Sequence, residues 1–271
     1  MASSLTFSYH THNQYCDGEG RIEDMVEAAI AADLTEIGIS SHAPVPFDTA
    51  WTMPPARLAD YVHEVHQVQV RFRDRITVLF GSEIDFIPDP RVVEFQEMEV
   101  LPLEVDYFIG SVHFLGREYP PCSIDGTEQE FQALLHQEYG DDIEAMVVDY
   151  YRRVRRMLSL PRVKIVGHID RIKRWNAGGT YFGEDEPWYR EAVDETLRAV
   201  AATDKLVELN TSAWRNGLPE PYPALWILRL CHEYGIPVTV SSDAHKPGEV
   251  TDGFERAQAC LLELGITPSR L

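Results

Sequence analysis

The sequence predicts an α/β fold, most economically one closed or nearly closed β/α barrel of the TIM-barrel type. Short runs rich in β-branched and aromatic residues alternate seven times with longer segments of helical periodicity. No Gly/Ser-rich linker, repeat or composition break divides the chain, so residues 1–271 are predicted to form a single domain. A hydrophobic content of 44% over 271 residues is enough to bury a sizeable core.

The seven predicted strands are short segments in which β-branched, aromatic and other apolar residues dominate. In chain order they cover residues 5–9, 36–40, 76–82, 107–112, 164–167, 206–210 and 238–242. The predicted helices carry apolar residues at i, i+3 and i+4, which places those residues on one face. They cover residues 21–34, 55–72, 141–158, 188–203 and 222–235.

The least regular stretch, residues 114–127, follows the fourth predicted strand and contains two prolines. It is predicted to cross the mouth of the barrel, although a surface loop without a role fits it equally well. Its last five residues, SIDGT, are similar to the end of the D-x-D-G-T signature of haloacid-dehalogenase phosphatases. Ser123 stands where that signature needs its nucleophilic aspartate, so a covalent aspartyl intermediate is disfavoured.

The chain is strongly acidic, with 24 Lys and Arg against 44 Asp and Glu, a formal net charge of -20 and a pI near 4.8. Nucleic acids and anionic membranes attract clustered cations, so neither is an expected partner. The N-terminus lacks the pattern of a signal peptide, and no apolar run reaches the roughly 18 residues of a membrane span. The four cysteines are scattered. We therefore predict a cytoplasmic protein with reduced thiols.

Nine imidazole and carboxylate residues come just after predicted strands. They are His10, His12, Asp17, His42, Glu83, His113, His168, Asp243 and His245. In a parallel barrel all strand C-termini open onto one face, so these side chains are expected to converge there. The other four histidines fall in helical segments and are expected to be exposed. They are His63, His66, His136 and His232.

A metal centre explains this convergence better than isolated polar groups, which would crowd and repel one another. Imidazole and carboxylate ligands without thiolate suit zinc, iron or manganese. At about four to six bonds per metal, nine protein ligands indicate two or three divalent ions. With about +6 from three metals against about −3 from Asp17, Glu83 and Asp243, the cavity would select an anionic substrate. The metals would also make hydroxide available by lowering the pKa of a bridging water.

Six motifs in this order resemble the metal-binding motifs of the polymerase and histidinol phosphatase (PHP) superfamily. They are YHTHNQYCD, SSHAP, GSEID, SVHF, GHID and SSDAH, and their polar residues extend from residue 10 to residue 245. Residues 207–223 further resemble a segment typical of the monofunctional histidinol-phosphate phosphatases of histidine biosynthesis. The resemblance implies a distorted seven-stranded β/α barrel and a trinuclear metal centre.

Carried over position by position, the resemblance implies three groups of metal ligands. They are His10, His12, Glu83 and Asp243; then His113 and His168 with Glu83 as a bridge; then Asp17, His42 and His245. The implied reaction is hydrolysis of L-histidinol phosphate to L-histidinol and phosphate. A metal-bridging hydroxide held by Glu83, His113 and Asp243 would attack phosphorus in line while an arginine helps to hold the equatorial oxygens.

Two arginines are candidates for binding the substrate phosphate. Arg215 follows the sixth strand on the same rim, and its planar guanidinium suits bidentate phosphate binding. Arg171 lies three residues beyond His168, although Lys173 and Arg174 are close by and leave the choice ambiguous. Three aromatic residues could stack on the imidazole of the substrate, and packing in the barrel fits each of them equally well. They are Trp175, Trp214 and Tyr222.

Two alternatives stay open. A PHP-type phosphoesterase or exonuclease acting on another phosphate ester would share the metal chemistry. A non-catalytic metal-binding protein would instead unfold or switch on metal removal without losing any turnover. The sequence does not identify the native metal, the oligomeric state, the residues that recognise the imidazole and amino groups, or the group that protonates the leaving alkoxide.

Overall fold

Seven parallel strands form the centre of the computed structural model, which describes residues 5–271. The strands are β1 (Phe7–Ser8), β2 (Glu36–Ile39), β3 (Thr77–Asp85), β4 (Tyr107–Ser111), β5 (Val163–Val166), β6 (Leu206–Asn210) and β7 (Val238–Ser241). They lie side by side in chain order. A parallel bridge between Thr11 and Ala244 joins the chain after β1 to the chain after β7. The sheet is therefore a nearly closed barrel, which confirms the predicted fold class and all seven predicted strands.

Helices alternate with these strands along the chain. Among the described residues they are α1 (Ile22–Ala31), α2 (Leu58–Phe72), α3 (Pro90–Phe95), α4 (Glu128–Tyr139), α5 (Ile143–Met157), α6 (Pro187–Ala201), α7 (Ser212–Arg215), α8 (Leu225–Glu233) and α9 (Phe254–Leu264). The five predicted helices are confirmed as α1, α2, α5, α6 and α8. Helix α2 begins later than predicted because Pro55–Arg57 forms a separate 3₁₀ turn.

Four helices are absent from the sequence-based prediction. Helices α3 and α7 have only six and four residues, too few to show a helical period. Helix α4 is largely polar, but its start carries a signal, since Thr127 and Glu130 form a capping box. Helix α9 follows the last strand and ends at Gly265, which adopts the left-handed conformation.

Residues 114–127 contain a regular element where the sequence indicates an irregular one. Phe114–Leu115 pairs with Cys122–Ser123 as a short antiparallel hairpin. Asp125, just beyond the hairpin, lines a cavity together with residues from the strand ends. The stretch thus reaches the mouth of the barrel, as predicted.

The side chain of Tyr107 in β4 lies across β3 and β2, because both strands have glycine beneath it. A Cβ added at Gly81 or Gly38 would collide with the Tyr107 ring or hydroxyl. The Tyr107 hydroxyl donates to the carbonyl of Tyr9, just after β1. One buried side chain therefore connects four neighbouring strands.

Two further expectations concern the surface and the thiols. Within residues 5–271, no helix combines the length and the apolar character needed to cross a membrane. The four histidines expected on helix faces are all exposed. The cysteines carry free thiols, as predicted. They are Cys16, Cys122, Cys231 and Cys260.

Candidate metal centre

All nine predicted imidazole and carboxylate side chains meet at the C-terminal end of the barrel. They form four overlapping groups whose potential ligand atoms lie within 4.8 Å of one another. The groups are His12, Asp17, His42 and His245; His10, His168 and Asp243; His10, His12 and Glu83; and His42, Glu83 and His113. The parallel strands bring these residues together because they end on one face.

Glu83 and Asp243 face the two histidines that follow β1. His10 Nε2 lies 3.1 Å from Glu83 Oε2 and 3.6 Å from Asp243 Oδ1. His12 Nε2 lies 3.1 Å from Asp243 Oδ1 and 3.6 Å from Glu83 Oε2. The two histidines project to the same side because side chains in extended chain repeat every two residues. Two imidazole nitrogens and two carboxylate oxygens therefore surround one point.

Glu83 also contacts the histidines that follow β2, β4 and β5. Its Oε1 lies 3.1 Å from His168 Nε2 and 3.8 Å from His113 Nε2, and it accepts a hydrogen bond from Ser111 Oγ at 2.5 Å. Its Oε2 lies 2.9 Å from His42 Nδ1. The carboxylate thus lies between two sets of histidines, with one oxygen turned toward each.

Asp17 occupies the more open corner of the cluster. His245 Nε2 lies 3.4 Å from Asp17 Oδ2, and His42 Nε2 lies 3.9 Å from Asp17 Oδ1. The ring of His12 is 4.2 Å from the rings of both histidines. The side chains of Asp17 and His245 are 31% and 32% exposed, whereas His12 is fully buried. A ligand entering from solvent would reach this corner first.

Two carboxylates outside the nine orient the histidines. Glu208 Oε1 lies 2.8 Å from His10 Nδ1, and its Oε2 accepts from the backbone N–H of His168 at 3.0 Å. Asp85 Oδ1 lies 3.0 Å from His113 Nδ1 and also accepts from the His113 backbone N–H at 2.9 Å. With a proton on Nδ1, the Nε2 lone pair of each imidazole is free to face the cluster.

The Asp243 carboxylate is held in an unusual backbone conformation. Its φ of 53° lies in the left-handed region, which non-glycine residues seldom adopt. Asn210 Nδ2 and Ser212 Oγ donate to Asp243 Oδ2 at 3.1 and 3.2 Å, which leaves Oδ1 for the histidines. Arg215 Nη2 donates to the carbonyls of Ser242 and Asp243 at 2.8 and 2.6 Å. These contacts hold the strained turn in place.

Carboxylates stabilise the protonated form of three histidines in the cluster, although burial opposes protonation of each. Glu208, Asp243 and Glu83 raise the pKa of His10 well above its usual value, and Asp85 and Glu83 raise the pKa of His113 to about 9. Burial also opposes protonation of His245, and its contact with Asp17 contributes to raising its pKa to about 9. Without metal, His113 and His245 are therefore protonated on both ring nitrogens and positively charged at neutral pH.

The pKa values of His12, Glu83 and Asp243 are lowered instead, so His12 stays uncharged and both carboxylates stay ionised at neutral pH. Burial, together with nearby His245 and His42, lowers the pKa of His12 to about 3. Burial would raise the pKa values of Glu83 and Asp243, but the surrounding histidines hold both well below the usual range. Ionised carboxylates and a neutral imidazole are the forms in which these groups bind metal ions.

The donor set fits divalent cations. Four atoms at the centre of the cluster are buried and make no hydrogen bond of acceptable geometry with any described residue. They are His10 Nε2, His12 Nε2, His42 Nδ1 and Glu83 Oε2. In addition, His113 Nε2 and His168 Nε2 lie only 3.2 Å apart. Buried donors and acceptors are normally satisfied, and cations bound in the cluster would satisfy these atoms.

A cavity of about 340 Å³ opens beside the cluster. Three arginines line its wall, which are Arg171, Arg174 and Arg215. Asp125 pairs with two of them: Arg171 Nε and Nη2 each donate to its carboxylate at 2.7 Å, and Arg174 Nη1 lies 3.0 Å from Oδ1. Arg171 Nη1 lies 3.4 Å from Ser212 Oγ, on the side of the cluster. Both arginines named from the sequence therefore face the cavity, and Arg174 joins them.

None of the three aromatic residues suggested by the sequence lines this cavity. Trp175 Nε1 donates to the Ile124 carbonyl, and Trp214 packs under the guanidinium of Arg256. Tyr222 is fully buried, with its ring 6.4 Å from that of His168. The packing interpretation therefore fits all three better than substrate stacking.

Several residues that shape the site carry no clear signal in the sequence. Glu208 and Asp85 lie within strands rather than after them, although an acid inside an apolar strand, as in LVELN, is a usable signal. Asp85 also shares a face of β3 with Glu83, two residues earlier. Asp125 and Trp51 come from loops, where no period indicates which way a side chain points.

Comparison with known proteins gives consistent matches. Residues 8–212 match the PHP domain family, and residues 227–254 match the PHP-associated family. A Deinococcus radiodurans protein named "Probable histidinol-phosphatase" is 33% identical over 254 residues, 92% of this chain and 89% of that protein. The histidinol-phosphatase of Bacillus subtilis is 27% identical, with 91% and 96% covered. The crystal structure of Lactococcus lactis histidinol phosphate phosphatase with zinc, L-histidinol and phosphate has a TM-score of 0.75 at 23% identity, covering 98% of this chain and 96% of that one.

Proposed function

This chain belongs to the PHP domain family, and we propose that it is a histidinol-phosphatase, which hydrolyses L-histidinol phosphate to L-histidinol and phosphate. The observation that carries the proposal is the joint presence of a nine-residue imidazole and carboxylate cluster and a cavity lined by three arginines. The cluster suits divalent metals and the arginines suit a phosphate group. The names of the relatives in Deinococcus and Bacillus supply the identity of the alcohol.

We further propose that two or three ions, of zinc, iron or manganese, occupy the cluster. One would be held by His10, His12, Glu83 and Asp243, a second by Glu83, His113 and His168, and a third by Asp17, His42 and His245. The proximity of the donor atoms and the unpartnered buried atoms support several ions that share ligands, and the group of His12, Asp17, His42 and His245 supports the third site. The other groups overlap, since His168 also lies close to His10 and Asp243, and His113 lies close to His42 and Glu83. When bound, the ions would polarise the phosphoryl oxygens and lower the pKa of water at the site.

The chain's own residues prepare the site for this chemistry. Glu208 and Asp85 fix the Nδ1 protons of His10 and His113, so that the Nε2 atoms need no rearrangement during turnover. Asp125 occupies the Nε and Nη2 edge of Arg171, which locks the plane of the guanidinium. The third nitrogen, Nη1, then remains available to a phosphoryl oxygen.

The arginines also supply positive charge that does not depend on pH. Phosphate monoesters hydrolyse very slowly in water, and the charge that develops on the phosphoryl oxygens must be stabilised by groups already in position. Arg171, Arg174 and Arg215 are held by carboxylates or carbonyls before substrate arrives. Their reorganisation cost on binding is therefore small.

The proposed location of the protein in the cytoplasm stays a prediction.

The experiment is to measure phosphate release by the purified protein from L-histidinol phosphate and from p-nitrophenyl phosphate. A chelator-treated sample and the same sample with metal restored serve as controls. We expect a much higher kcat/KM for L-histidinol phosphate, lost on chelation and regained with metal. Chelator-sensitive hydrolysis without that preference would contradict the substrate but not the metal centre, and release of nucleotides from single-stranded DNA would favour the exonuclease alternative.

A further inference from the structure

Among the described residues that line the cavity, Trp51 is the one aromatic residue apart from the histidines. It lies in the loop after β2, nine residues beyond His42. The indole is partly exposed, unlike the buried tyrosines of the core. A large apolar surface open to a strongly polar cavity is a feature that the phosphatase chemistry itself does not need.

One face of Trp51 is held by a neighbouring aromatic ring. Its ring stacks on that of Phe114, with centroids 5.1 Å apart and planes 20° apart. Phe114 is itself buried and follows His113 directly. Around Trp51 the loop is closed by Thr49, whose Oγ1 accepts from the Thr52 backbone N–H at 2.9 Å. Phe114 thus covers one face of the indole, and Trp51 lines both the cavity beside the metal cluster and a second cavity next to the hairpin.

From this geometry we propose that Trp51 binds the imidazole ring of the leaving alcohol and determines the specificity of the enzyme for L-histidinol phosphate. The inference rests on the proposed function, because it assumes that substrate. The face of an indole is electron-rich and attracts flat, cationic or polarised rings. An imidazole with a pKa near 6.5 is partly cationic near neutral pH.

The surrounding charges agree with this occupant. The arginines Arg171, Arg174 and Arg215 take the phosphate end of the cavity, so the alcohol end must extend elsewhere. Asp125 and Glu249 also line the wall, but the Asp125 carboxylate is paired with Arg171 and Arg174, and the Glu249 carboxylate accepts from the His245 backbone N–H. Trp51 is then the apolar part of the lining that is left for the alcohol. Inorganic phosphate has no ring and would not contact Trp51. The structure thus assigns the two ends of the substrate to different residues.

The test compares two tryptophan-to-leucine variants in the metal-loaded protein. Trp51→Leu removes the ring but keeps apolar volume against Phe114. Trp188→Leu is the matched control, because Trp188 is also partly buried and packs on Phe182, outside the cavity. For each variant, L-histidinol affinity is measured by calorimetry and phosphate affinity by inhibition of hydrolysis. Metal content and circular dichroism verify that each variant is folded and loaded.

We expect Trp51→Leu to weaken L-histidinol binding about tenfold and to raise KM for L-histidinol phosphate similarly, with phosphate inhibition unchanged. Trp188→Leu should behave as wild type. Wild-type affinity for L-histidinol in Trp51→Leu, or an equal loss of L-histidinol and phosphate affinity, would overturn the proposal. Failure of the wild-type protein to prefer L-histidinol phosphate would instead reject the proposed function.

A fluorescence measurement keeps the proposal testable if Trp51→Leu does not fold. Binding of L-histidinol to the wild-type protein should quench part of the tryptophan emission, because a ring stacks on the indole. Trp51→Phe, which retains a ring against Phe114, should lose this quenching while still binding L-histidinol. Quenching that persists in Trp51→Phe would show that another tryptophan responds, and the assignment of Trp51 would be wrong.

Discussion

Glu208 controls the orientation of two histidines from opposite sides of one carboxylate. It accepts from the His10 ring and from the His168 backbone, and Asn210 Nδ2 also donates to it at 3.0 Å. In Glu208→Gln one of the two terminal atoms becomes an NH₂ group, which cannot accept these bonds. We expect metal affinity and kcat/KM to fall together, by about 10- to 100-fold.

Metal content measured by mass spectrometry on the purified variant, beside its kinetics, checks this prediction. Glu36→Gln is a suitable control. Glu36 is also a hydrogen-bonded carboxylate on a barrel strand, but it lies at the first residue of β2 and accepts from the Tyr9 hydroxyl. Equal metal content in both variants would show that Glu208 does not orient the ligands.

Arg171 and Arg215 should respond differently to replacement by alanine. Arg171 contacts side chains only, so Arg171→Ala should raise KM and lower kcat/KM by about 10- to 100-fold without loss of metal. Arg215 also holds the carbonyls of Ser242 and Asp243, so Arg215→Ala should lower metal content as well. Kinetics with saturating and with limiting metal separate the two effects. Recovery of the wild-type kcat/KM by Arg171→Ala in excess metal, or a wild-type metal content in Arg215→Ala, would contradict these different roles for the two arginines.

The sequence predicts the nine clustered side chains largely from one rule, although Glu83 departs from it. Strand β3 extends to Asp85, beyond the predicted end at residue 82, so Glu83 lies inside the strand and not after it. Residues after parallel strands meet on one face, however far apart they are in the chain. The rule does not extend to Asp125 and Trp51, whose directions depend on the hairpin and on the stacking of loop aromatics. It also cannot reveal that Arg215 is tied to the turn at Asp243, since that contact joins loops after two different strands.

Strands β2, β3 and β4 depend on two glycines to accommodate Tyr107. Gly81→Ala would place a methyl group into the Tyr107 ring. Gly81 and Tyr107 are paired residues of β3 and β4, and these hydrogen-bonded strands cannot easily separate to relieve the overlap. We expect the free energy of unfolding to fall by about 1–3 kcal/mol. Gly81 shares a face of β3 with Glu83, so metal content is measured beside stability to separate a loss of packing from a loss of metal.

Urea denaturation of the metal-loaded protein measures this loss. Gly248→Ala is the control, since an added Cβ there meets no atom within 4 Å and the backbone has no positive φ. It should alter the free energy of unfolding by less than about 1 kcal/mol. A similar effect in both variants would mean that general glycine entropy, rather than the Tyr107 contact, determines the result.

Strands and long amphipathic helices are predicted well here because their patterns reflect burial directly. The strands β6 and β7 are buried along their whole length, and their apolar runs match the predicted ranges closely. Helix α4 is a different case, because only Phe131, Leu134 and Leu135 are buried in a charged segment. Its existence depends on a capping box and on packing against α5, and packing is not visible in sequence.

The acidic charge of the whole protein poses a problem for an anionic substrate. The formal charge of -20 repels phosphate esters at long range, and Asp17, Glu83 and Asp243 add negative charge at the site itself. The arginines offset this only locally. Bound divalent ions would make the cavity strongly positive, so substrate affinity should depend on how much metal is bound.

In the proposed metal centre, protons and metal ions would compete for the same side chains. The pKa values of His113 and His245 are near 9 in the metal-free protein, so both histidines would have to lose a proton to bind metal. Metal affinity should rise as pH increases from 6.5 to 8.5, by up to about tenfold per pH unit for each proton displaced. Calorimetric titrations in buffers of different ionisation enthalpy count the protons released. Affinity independent of pH, with no proton release, would contradict the raised pKa values.

The raised pKa values of His113 and His245 also predict that the metal-free protein becomes less stable as pH rises, whereas its metal affinity increases. A histidine whose pKa is raised on folding stabilises the folded state fully below its unfolded value, near 6.5, and this contribution is lost as pH rises through about 9. The pKa of His12 is lowered to about 3, so His12 affects stability only at pH values below the unfolded-state histidine pKa of 6.5. Between pH 6.5 and 8.5 the free energy of unfolding should therefore fall. Urea denaturation in chelator measures it, with His113→Gln expected to reduce the slope. A flat profile for the wild-type protein would be inconsistent with protonated histidines in the cluster.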